Sequence, residues 1–238
     1  MPRIRFTIEA DSEEQEPSRI IPHIIGEIFG YPKEDSGEVG QKIGHIHAFM
    51  VLQSRALNDN VSLFDAMDSI SASTEECFEA LYNVDETGWS NAVEELYQGR
   101  VLGIDALFIE EIVIEPNYRG KSIGAQVVRE TISTFALNGV GIVACKPFPL
   151  QYLGWEEDSR KGEPGFEEKR LAEFARVARF WKDLGFRKLP DSDFYTYAPE
   201  LLNQGEGEEE PVPSPSLSWA NRIRRGRRRN VRRKSRPT

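Results

Sequence analysis

Apolar and polar residues follow their clearest pattern in residues 106–128, the segment around which the rest of the chain is predicted to fold. An apolar run with two acidic residues inside it covers residues 107–114 and ends before Pro116. A polar turn follows over residues 117–124, and apolar residues then return at helical spacing from Gly124 to Phe135. This succession predicts a strand, a glycine-containing turn and a helix.

The predicted turn is suited to an anion. It carries two cations, Arg119 and Lys121, and two glycines, Gly120 and Gly124, at the point where the helix begins. The first N–H groups of a helix lack intrahelical acceptors, and the helix dipole adds partial positive charge there. Glycine also lets the backbone approach a ligand closely. A phosphate or pyrophosphate group is therefore the predicted ligand.

Other strands follow from alternation or from short apolar runs. Alternation predicts strands over residues 2–9 and 42–54, and residues 194–197 form the last predicted strand. Residues 139–147 are an apolar run that follows the helix after the turn. A strand, a helix and a second strand with a short return predict a parallel βαβ unit.

Helical spacing predicts the remaining elements. Apolar residues predict one helix over residues 20–29 and a long amphipathic helix over residues 169–184. Residues 60–99 contain three shorter helical pieces. A capping box from Ser73 to Glu76 is predicted to begin the second piece, and Ser90 to cap the third.

Two familiar phosphate loops do not fit the turn. Gly120, Lys121 and Ser122 match the end of a Walker-type loop, but that motif needs a glycine five residues before Gly120, where the chain has Glu115. A dinucleotide fingerprint needs three glycines at fixed spacing, and the third is missing here.

The segment from Glu110 to Gly124, EEIVIEPNYRGKSIG, closely resembles the signature of the GNAT superfamily of N-acetyltransferases. The family pattern is Arg or Gln, two residues, Gly, one residue, and then Gly or Ala. Arg119 and Gly124 match it, and Ser122 stands at the middle glycine. The resemblance covers residues 101–198 well and residues 1–100 loosely. It implies the fold class α/β (α+β), a GNAT-like mixed central β-sheet flanked by helices.

The resemblance implies acetyl-coenzyme A (acetyl-CoA) as co-substrate. In the family the signature strand, here residues 107–114, splays away from the strand that follows the helix. The pantetheine arm of the cofactor lies in the gap and would bond backbone groups near Ile112 and Ile114. The implied cofactor-binding residues are Ile112, Val113, Ile114, Arg119, Gly120, Lys121, Ser122, Ile123 and Gly124.

Acetyl transfer to an amine needs a carboxylate, or water held by one, to remove a proton. Glu110 and Glu111 are the candidate catalytic bases. Because adjacent strand residues face opposite ways, at most one of them is expected to point into the groove. Family members often carry an acid at the position of Glu110, which is therefore preferred. Many also use a tyrosine four residues before a glycine matching Gly185 as general acid, but here that position is Trp181, whose indole cannot protonate a thiolate usefully.

Two other chemistries stay open. His45 and His47 share one predicted strand face with Ile43 and Phe49, and two histidines on one face can bind a metal. The sequence supplies no Cys or further His nearby to complete a shell, so hydrogen-bonded histidines beside a substrate groove are favoured and no metal is predicted. Cys145 is either a nucleophile or, as favoured here, a small buried residue.

Two segments depart from the family pattern. The family places a third strand between the second strand and the signature strand, whereas residues 60–99 predict a helical insertion. The alternative is a short strand remnant over residues 101–104. Residues 148–168 form an acidic connection longer than the family's, which either recognises a cationic amine or is a solvated loop.

Charge divides the chain of 238 residues, whose net charge is −9. Residues 221–238 hold ten Lys and Arg and no Asp or Glu, so residues 1–220 hold 20 basic residues against 39 acidic ones. The predicted organisation is a folded domain over 1–202, an acidic, Pro- and Ser-containing linker over 203–218 and a basic disordered tail over 219–238. Residues 222–236 suit a nucleic acid or a nuclear import receptor as partner.

No apolar run approaches the roughly 18 residues of a membrane span, and the two cysteines match no disulfide or metal framework. We therefore expect no membrane association and a cytoplasmic or nuclear protein. The leading hypothesis is an N-acetyltransferase acting on a primary amine of a small molecule or protein. The alternatives are a catalytically inactive acyl-CoA-binding or regulatory module of the same fold, and a nucleic-acid-associated protein acting through its basic tail. The acceptor and the oligomeric state stay open.

Overall fold

The computed structural model describes residues 2–9, 17–30, 40–136, 139–152 and 165–204. In these ranges the chain forms a seven-stranded mixed β-sheet flanked by six α-helices, which confirms the predicted fold class. The strands are β1 (Arg3–Glu9), β2 (His23–Phe29), β3 (Lys42–Val51), β4 (Asp105–Ile114), β5 (Val140–Cys145), β6 (Arg187–Lys188) and β7 (Tyr195–Tyr197). The helices are α1 (Gln53–Asp59), α2 (Leu63–Ile70), α3 (Ala72–Leu81), α4 (Asn91–Tyr97), α5 (Ile123–Phe135) and α6 (Phe166–Asp183).

The strand order across the sheet is β1-β2-β3-β4-β5-β7-β6. Only β4 and β5 run parallel among the pairs described, and α5 makes the connection between them. The predicted strand, turn, helix and parallel strand are therefore confirmed. This unit places β4, the predicted signature strand, at the centre of the sheet.

Two apolar cores lie on the two faces of the sheet. Phe108 of β4 packs in the core shared with α1–α4, whereas its neighbours Leu107 and Ile109 pack in the core shared with α5 and α6. Because successive side chains of a strand point to opposite faces, the two helical groups cover opposite sides. All three of these side chains are almost completely buried, so β4 is anchored from both sides.

The helix predicted over residues 20–29 is wrong, because residues 23–29 form β2. The residues Ile24, Gly26 and Ile28 are buried at period two and the residues between them are half-buried. The isoleucines in so short a segment fit both the helical period and the strand period of two residues. Their β-branched side chains favour a strand once neighbouring strands pair on both sides. Those partners are β1 and β3, each of which pairs with β2 along its length.

With β2 counted, three strands precede β4, and the helices α1–α4 lie between β3 and β4. The predicted helical insertion is confirmed, and residues 101–104 form no strand. The predicted cap of its second piece is wrong. Ser71 begins α3 with a capping box in which its hydroxyl accepts from the Thr74 N–H, and Ser73 lies inside the first turn. Ser90 caps α4 as predicted, by accepting from the Val93 N–H.

Helix α6 begins a few residues earlier than predicted. Leu171 and Ala175, which were expected in its apolar stripe, are exposed. Phe166 and Arg170 are buried in its first half. In its second half, Val177, Phe180 and Trp181 pack against the core of α5.

Several sequence predictions fall outside the described residues. These are the linker and basic tail from residue 205 onward and the centre of the acidic connection, residues 153–164. Among the described residues, no helix has the length and apolar character needed to span a membrane.

Replacing Gly44 by Ala is expected to lower the free energy of unfolding by about 1–3 kcal/mol. A Cβ atom at Gly44 would overlap the backbone carbonyl oxygen of Val113, and neither strand can move without disturbing the β3–β4 pairing. Gly88→Ala is the matched control, because its Cβ would meet only Asn83 Nδ2, at 3.8 Å. Urea unfolding should shift the midpoint for Gly44→Ala and leave the control within about 0.5 kcal/mol of wild type. Equal midpoints for the two variants would contradict this packing.

Candidate functional site

The central strand β4 carries a β-bulge at Glu110. In the pairing of β3 with β4, His47 is opposite Glu111 while the next residue, Ala48, is opposite Ile109. Glu110 is therefore the extra residue, with no partner on β3. A bulge bends its strand and changes the direction of the side chains that follow it.

The bulge turns both glutamates to the same face of the sheet. Before it, Leu107 and Ile109 pack in the core of α5 and α6, and after it Ile112 and Ile114 pack against that same core. In a regular strand, residues on one face are two positions apart, but Ile109 and Ile112 are three positions apart. The two residues between them, Glu110 and Glu111, therefore both point to the α1–α4 side. The premise that adjacent glutamates face opposite sides is wrong here, because the alternation rule assumes an unbroken pleat.

Glu110 is held by the insertion. The Ser73 hydroxyl of α3 donates a hydrogen bond to the Glu110 carboxylate. Ser73 is itself positioned by the N-terminal turn of α3, where its hydroxyl lies 2.9 Å from that of Ser71. The capping role of Ser71 thus leaves Ser73 available to position a side chain on β4.

Glu110 also lines a cleft of about 640 Å³. The described residues that line it are Ile8, Glu9, Ser18, Ile21, His23, Phe49, Ile70, Ser71 and Glu110. Two of them are carboxylates and none is Lys or Arg. A cleft with this charge and with apolar walls suits a cationic ligand that carries an apolar portion.

Glu111 joins the histidines of β3. Its Oε1 atom lies 3.0 Å from His45 Nε2 and 3.8 Å from His47 Nδ1. The ring of His23, on β2, lies 5.2 Å from the His47 ring and stacks on Phe49 at 4.6 Å. These are all three histidines of the chain.

Sequence reasoning missed this cluster for two reasons. Glu111 is separated from the histidines by α1–α4 in the chain, and only the β3–β4 register brings it opposite His47. His23 was placed in a predicted helix rather than in a strand beside β3. The sequence signals were the two histidines on one predicted strand face and the two adjacent acids inside an apolar run.

His47 is held towards its neutral form. Burial is the main cause that lowers the pKa of His47, Glu111 opposes it, and the neighbouring His45 and His23 add to the lowering. A neutral imidazole has one nitrogen lone pair available to accept a proton or to bind a metal.

One edge of β4 is open next to Glu110. The pairing with β5 runs from Asp105 to Ile109, where Cys145 is the last partner, and in the described part of the chain no strand pairs with residues 110–114 on that side. The described pairing of the two strands thus ends before Glu110, and the cofactor gap implied by the family resemblance stays a prediction.

The register of β4 against β3 determines which backbone groups of β4 point to the open edge. The Glu115 N–H donates to the Ile43 carbonyl of β3 at 2.9 Å, and alternate strand residues bond the same neighbour. Ile112 and Ile114 therefore direct their backbone groups to the open edge, and Val113 directs its own to β3. Arg119 Nε already donates to the Ile114 carbonyl oxygen at 2.8 Å.

The turn after β4 ends in an exposed helix N-terminus. Gly120 and Ser122 have left-handed φ values of 74° and 58°, and the Ser122 side chain does not cap α5. Among the described residues, no acceptor is found for the backbone N–H groups of Ile123, Gly124 and Ala125. Residues 119–122 are exposed, whereas Ile123 is buried and anchors the helix. The predicted anion-binding turn thus has free donors beside two cations.

Neither Trp181 nor Cys145 offers proton-transfer or nucleophilic chemistry. Trp181 is buried and packs edge-on against Phe186 at 4.9 Å between ring centroids. Cys145 is a fully buried free thiol, and burial raises its pKa well above the ordinary value. This supports the structural role that was favoured for Cys145.

Tyr195 is a residue that the sequence analysis did not single out. It lies on β7 directly opposite Cys145, at the end of β5 where β4 and β5 part. Burial is the main cause that raises the pKa of Tyr195, so the phenol stays protonated. Its side chain packs in the core shared with α5 and α6, and a protonated phenol is able to act as a general acid.

Neither a known family model nor a curated protein matches this sequence. Among solved structures, a chain described as "The crystal structure of KacTA-DNA complex" is similar at 9% identity with a TM-score of 0.38. The match covers 85% of this chain and 97% of that chain. Similarity at this level carries no argument about fold or function, so the function must be argued from this chain's own residues.

Proposed function

We propose that the protein is an N-acetyltransferase that moves the acetyl group of acetyl-CoA to a primary amine of a small molecule or protein. The observation that carries the proposal is the end of the β4–β5 pairing at Ile109 and Cys145, one residue before Glu110. From that point the open edge of β4 leads to the N-terminus of α5, and Glu110 lines the acidic cleft.

The cofactor would occupy this edge from end to end. Its pyrophosphate would accept hydrogen bonds from the N–H groups at the start of α5, with Arg119 and Lys121 adding positive charge. The two amide groups of its pantetheine arm would bond the backbone groups of Ile112 and Ile114, as an added strand does. The thioester would then lie near Ile109 and Glu110, at the mouth of the cleft.

The chain's own residues supply the proton transfers. Glu110, directly or through water, accepts a proton from the ammonium form of the acceptor, and the neutral nitrogen attacks the thioester carbonyl. A backbone N–H of the open edge stabilises the oxyanion. Glu110 passes the first proton to solvent water and accepts the second proton of the nitrogen as the intermediate collapses and the C–S bond breaks. The thiolate takes a proton from Tyr195, which regains one from solvent.

Calorimetric titration with acetyl-CoA is the first test. We expect binding at micromolar concentration, weaker binding of pantetheine, which lacks the pyrophosphate, and thiol release when a mixture of primary amines is added. Binding of pantetheine as tight as that of acetyl-CoA would contradict the role of the α5 N-terminus. Absence of any acetyl-CoA binding at millimolar concentration would overturn the proposal.

A catalytically inactive acyl-CoA-binding module is the second candidate, favoured by the buried Trp181 at the position of the family's tyrosine. This candidate predicts that acetyl-CoA binds but that no added amine causes release of its thiol.

For the basic residues within 222–236 we propose a nucleic acid or an import receptor as partner, and a cytoplasmic or nuclear localisation. Truncation after Leu202 tests this, since nucleic-acid binding must be lost with the tail.

A further inference from the structure

We propose that His45, His47 and Glu111 form a binding site for a divalent transition-metal ion, with Zn²⁺ the first expectation. The potential ligand atoms of these three side chains all lie within 4.8 Å of one another. Two imidazoles and one carboxylate are a ligand set that binds Zn²⁺, and also Fe²⁺ and related ions, with positions left open.

The distances fit one ion. Zinc–ligand bonds of about 2.0–2.2 Å at ordinary angles place neighbouring ligand atoms roughly 3.0–3.4 Å apart. The Oε1 atom of Glu111 is 3.0 Å from His45 Nε2 and 3.8 Å from His47 Nδ1. The ligand atoms of the third pair, His45 and His47, lie within 4.8 Å of each other, so binding one ion requires side-chain rotations that shorten the longer distances.

The backbone beneath the three ligands is rigid. His45 and His47 are two residues apart on one face of β3, and His47 is directly opposite Glu111 on β4. At His45 and His47, β3 is paired with both β2 and β4, and at Glu111, β4 is paired with β3 and lies two residues after the buried Ile109. Sites on paired strands hold ligands more precisely than sites on loops.

Both imidazoles approach the same carboxylate oxygen, which is the observation that favours an ion over simple ion pairs. A carboxylate has two oxygens, and two histidines that only needed hydrogen bonds would be satisfied better by one oxygen each. Only His45 Nε2 is within hydrogen-bond distance of that oxygen, and His47 Nδ1 lies 3.8 Å from it. An ion among the three groups would bind the Glu111 oxygen and a nitrogen of each ring at once.

The site is also accessible. The side chains of His45, His47 and Glu111 are 33%, 31% and 29% exposed, so an ion can enter and water or substrate can occupy the remaining positions. An open position is the mark of catalytic rather than structural zinc. The ion would lie on the same face as Glu110, yet its binding does not depend on acyl-CoA.

Cobalt titration tests the inference on the full chain, purified without a histidine tag and dialysed against a chelator. We expect one Co²⁺ per chain, with visible absorption bands and without thiolate bands, because Cys77 and Cys145 are buried. Zn²⁺ should displace Co²⁺ with a Kd of roughly micromolar or lower. Absence of Co²⁺ bands at millimolar metal would overturn the site.

Variants decide where the ion binds. Glu111→Gln keeps the size of the side chain, and we expect it, like His47→Gln, to weaken Co²⁺ binding by at least about 100-fold. His23→Gln is the control, because its ring contacts His47 but it is not among the three ligands, and it should retain binding within about threefold. Circular dichroism must show that each variant is folded. Unchanged binding by folded Glu111→Gln and His47→Gln would place the ion elsewhere and overturn the proposal.

Discussion

Replacing Glu110 by Gln is expected to lower kcat for acetyl transfer by roughly 10²- to 10⁴-fold, because an amide cannot accept the proton of the attacking amine. The substitution keeps the size of the side chain, and the new amide oxygen can still accept the hydrogen bond from Ser73. The bulge leaves Glu110 without a β3 partner, so the sheet does not depend on it. The effect should therefore appear in kcat and not in folding.

Two controls separate catalysis from cofactor binding. The Kd for acetyl-CoA should be unchanged in Glu110→Gln, as measured by calorimetry. Ser73→Ala should reduce kcat less than Glu110→Gln does, because it removes the hydrogen bond that positions the Glu110 carboxylate but keeps the carboxylate itself. If Glu110→Gln keeps kcat within threefold of wild type, Glu110 is not the base, and a larger loss in Glu111→Gln would assign that role to its neighbour.

Replacing Gly124 by Glu is expected to raise the Kd for acetyl-CoA by at least about 100-fold without lowering the melting temperature. The new carboxylate would stand in the first turn of α5, where it repels the pyrophosphate and takes up the free N–H groups. A Cβ at this position meets Phe180 at 3.5 Å, an ordinary contact. Glycine is a poor helix former and an acid near a helix N-terminus is stabilising, so stability should rise by roughly 0.5–1 kcal/mol.

Gly124→Gln is the matched control, because it has the same size and lacks the charge. We expect its Kd for acetyl-CoA to stay within about tenfold of wild type. Calorimetric titration and thermal unfolding of both variants measure the two effects separately. Equal Kd values for the Gln and Glu variants would show that size rather than charge matters, and would argue against an anion at this helix end.

Local patterns in the sequence were sufficient for the elements that surround β4. The apolar run over 107–114 has the length of a strand and is followed by a glycine-containing turn, and the stripe of α5 is long enough to show the helical period. The anion-binding character of the turn follows from the same residues, since free N–H groups at a helix start are a property of any helix. The elements were predicted correctly in place and in type, and anion binding at the turn stays a prediction.

Residues 20–29 show where local pattern is insufficient. Isoleucines spaced by three, four and one positions fit a helix, and over seven residues they fit a strand as well. Hydrogen-bonded partners on both sides, β1 and β3, decide for the strand. Only the assembled sheet supplies these two partner strands. The sequence does not show that β3 pairs with β2, because the segment between the two strands has no apolar pattern of its own.

The sequence by itself determined the β4–α5–β5 unit, the helical insertion before β4, the position of the turn predicted to bind an anion and the pair of acids next to it. The tertiary structure decided how those acids are used. The register of β3 against β4 creates the bulge, turns Glu110 towards Ser73 and the cleft, and brings Glu111 against His45 and His47. The physical reason is that side-chain direction in a strand depends on register, and register here is set by packing between segments that four helices separate in the chain.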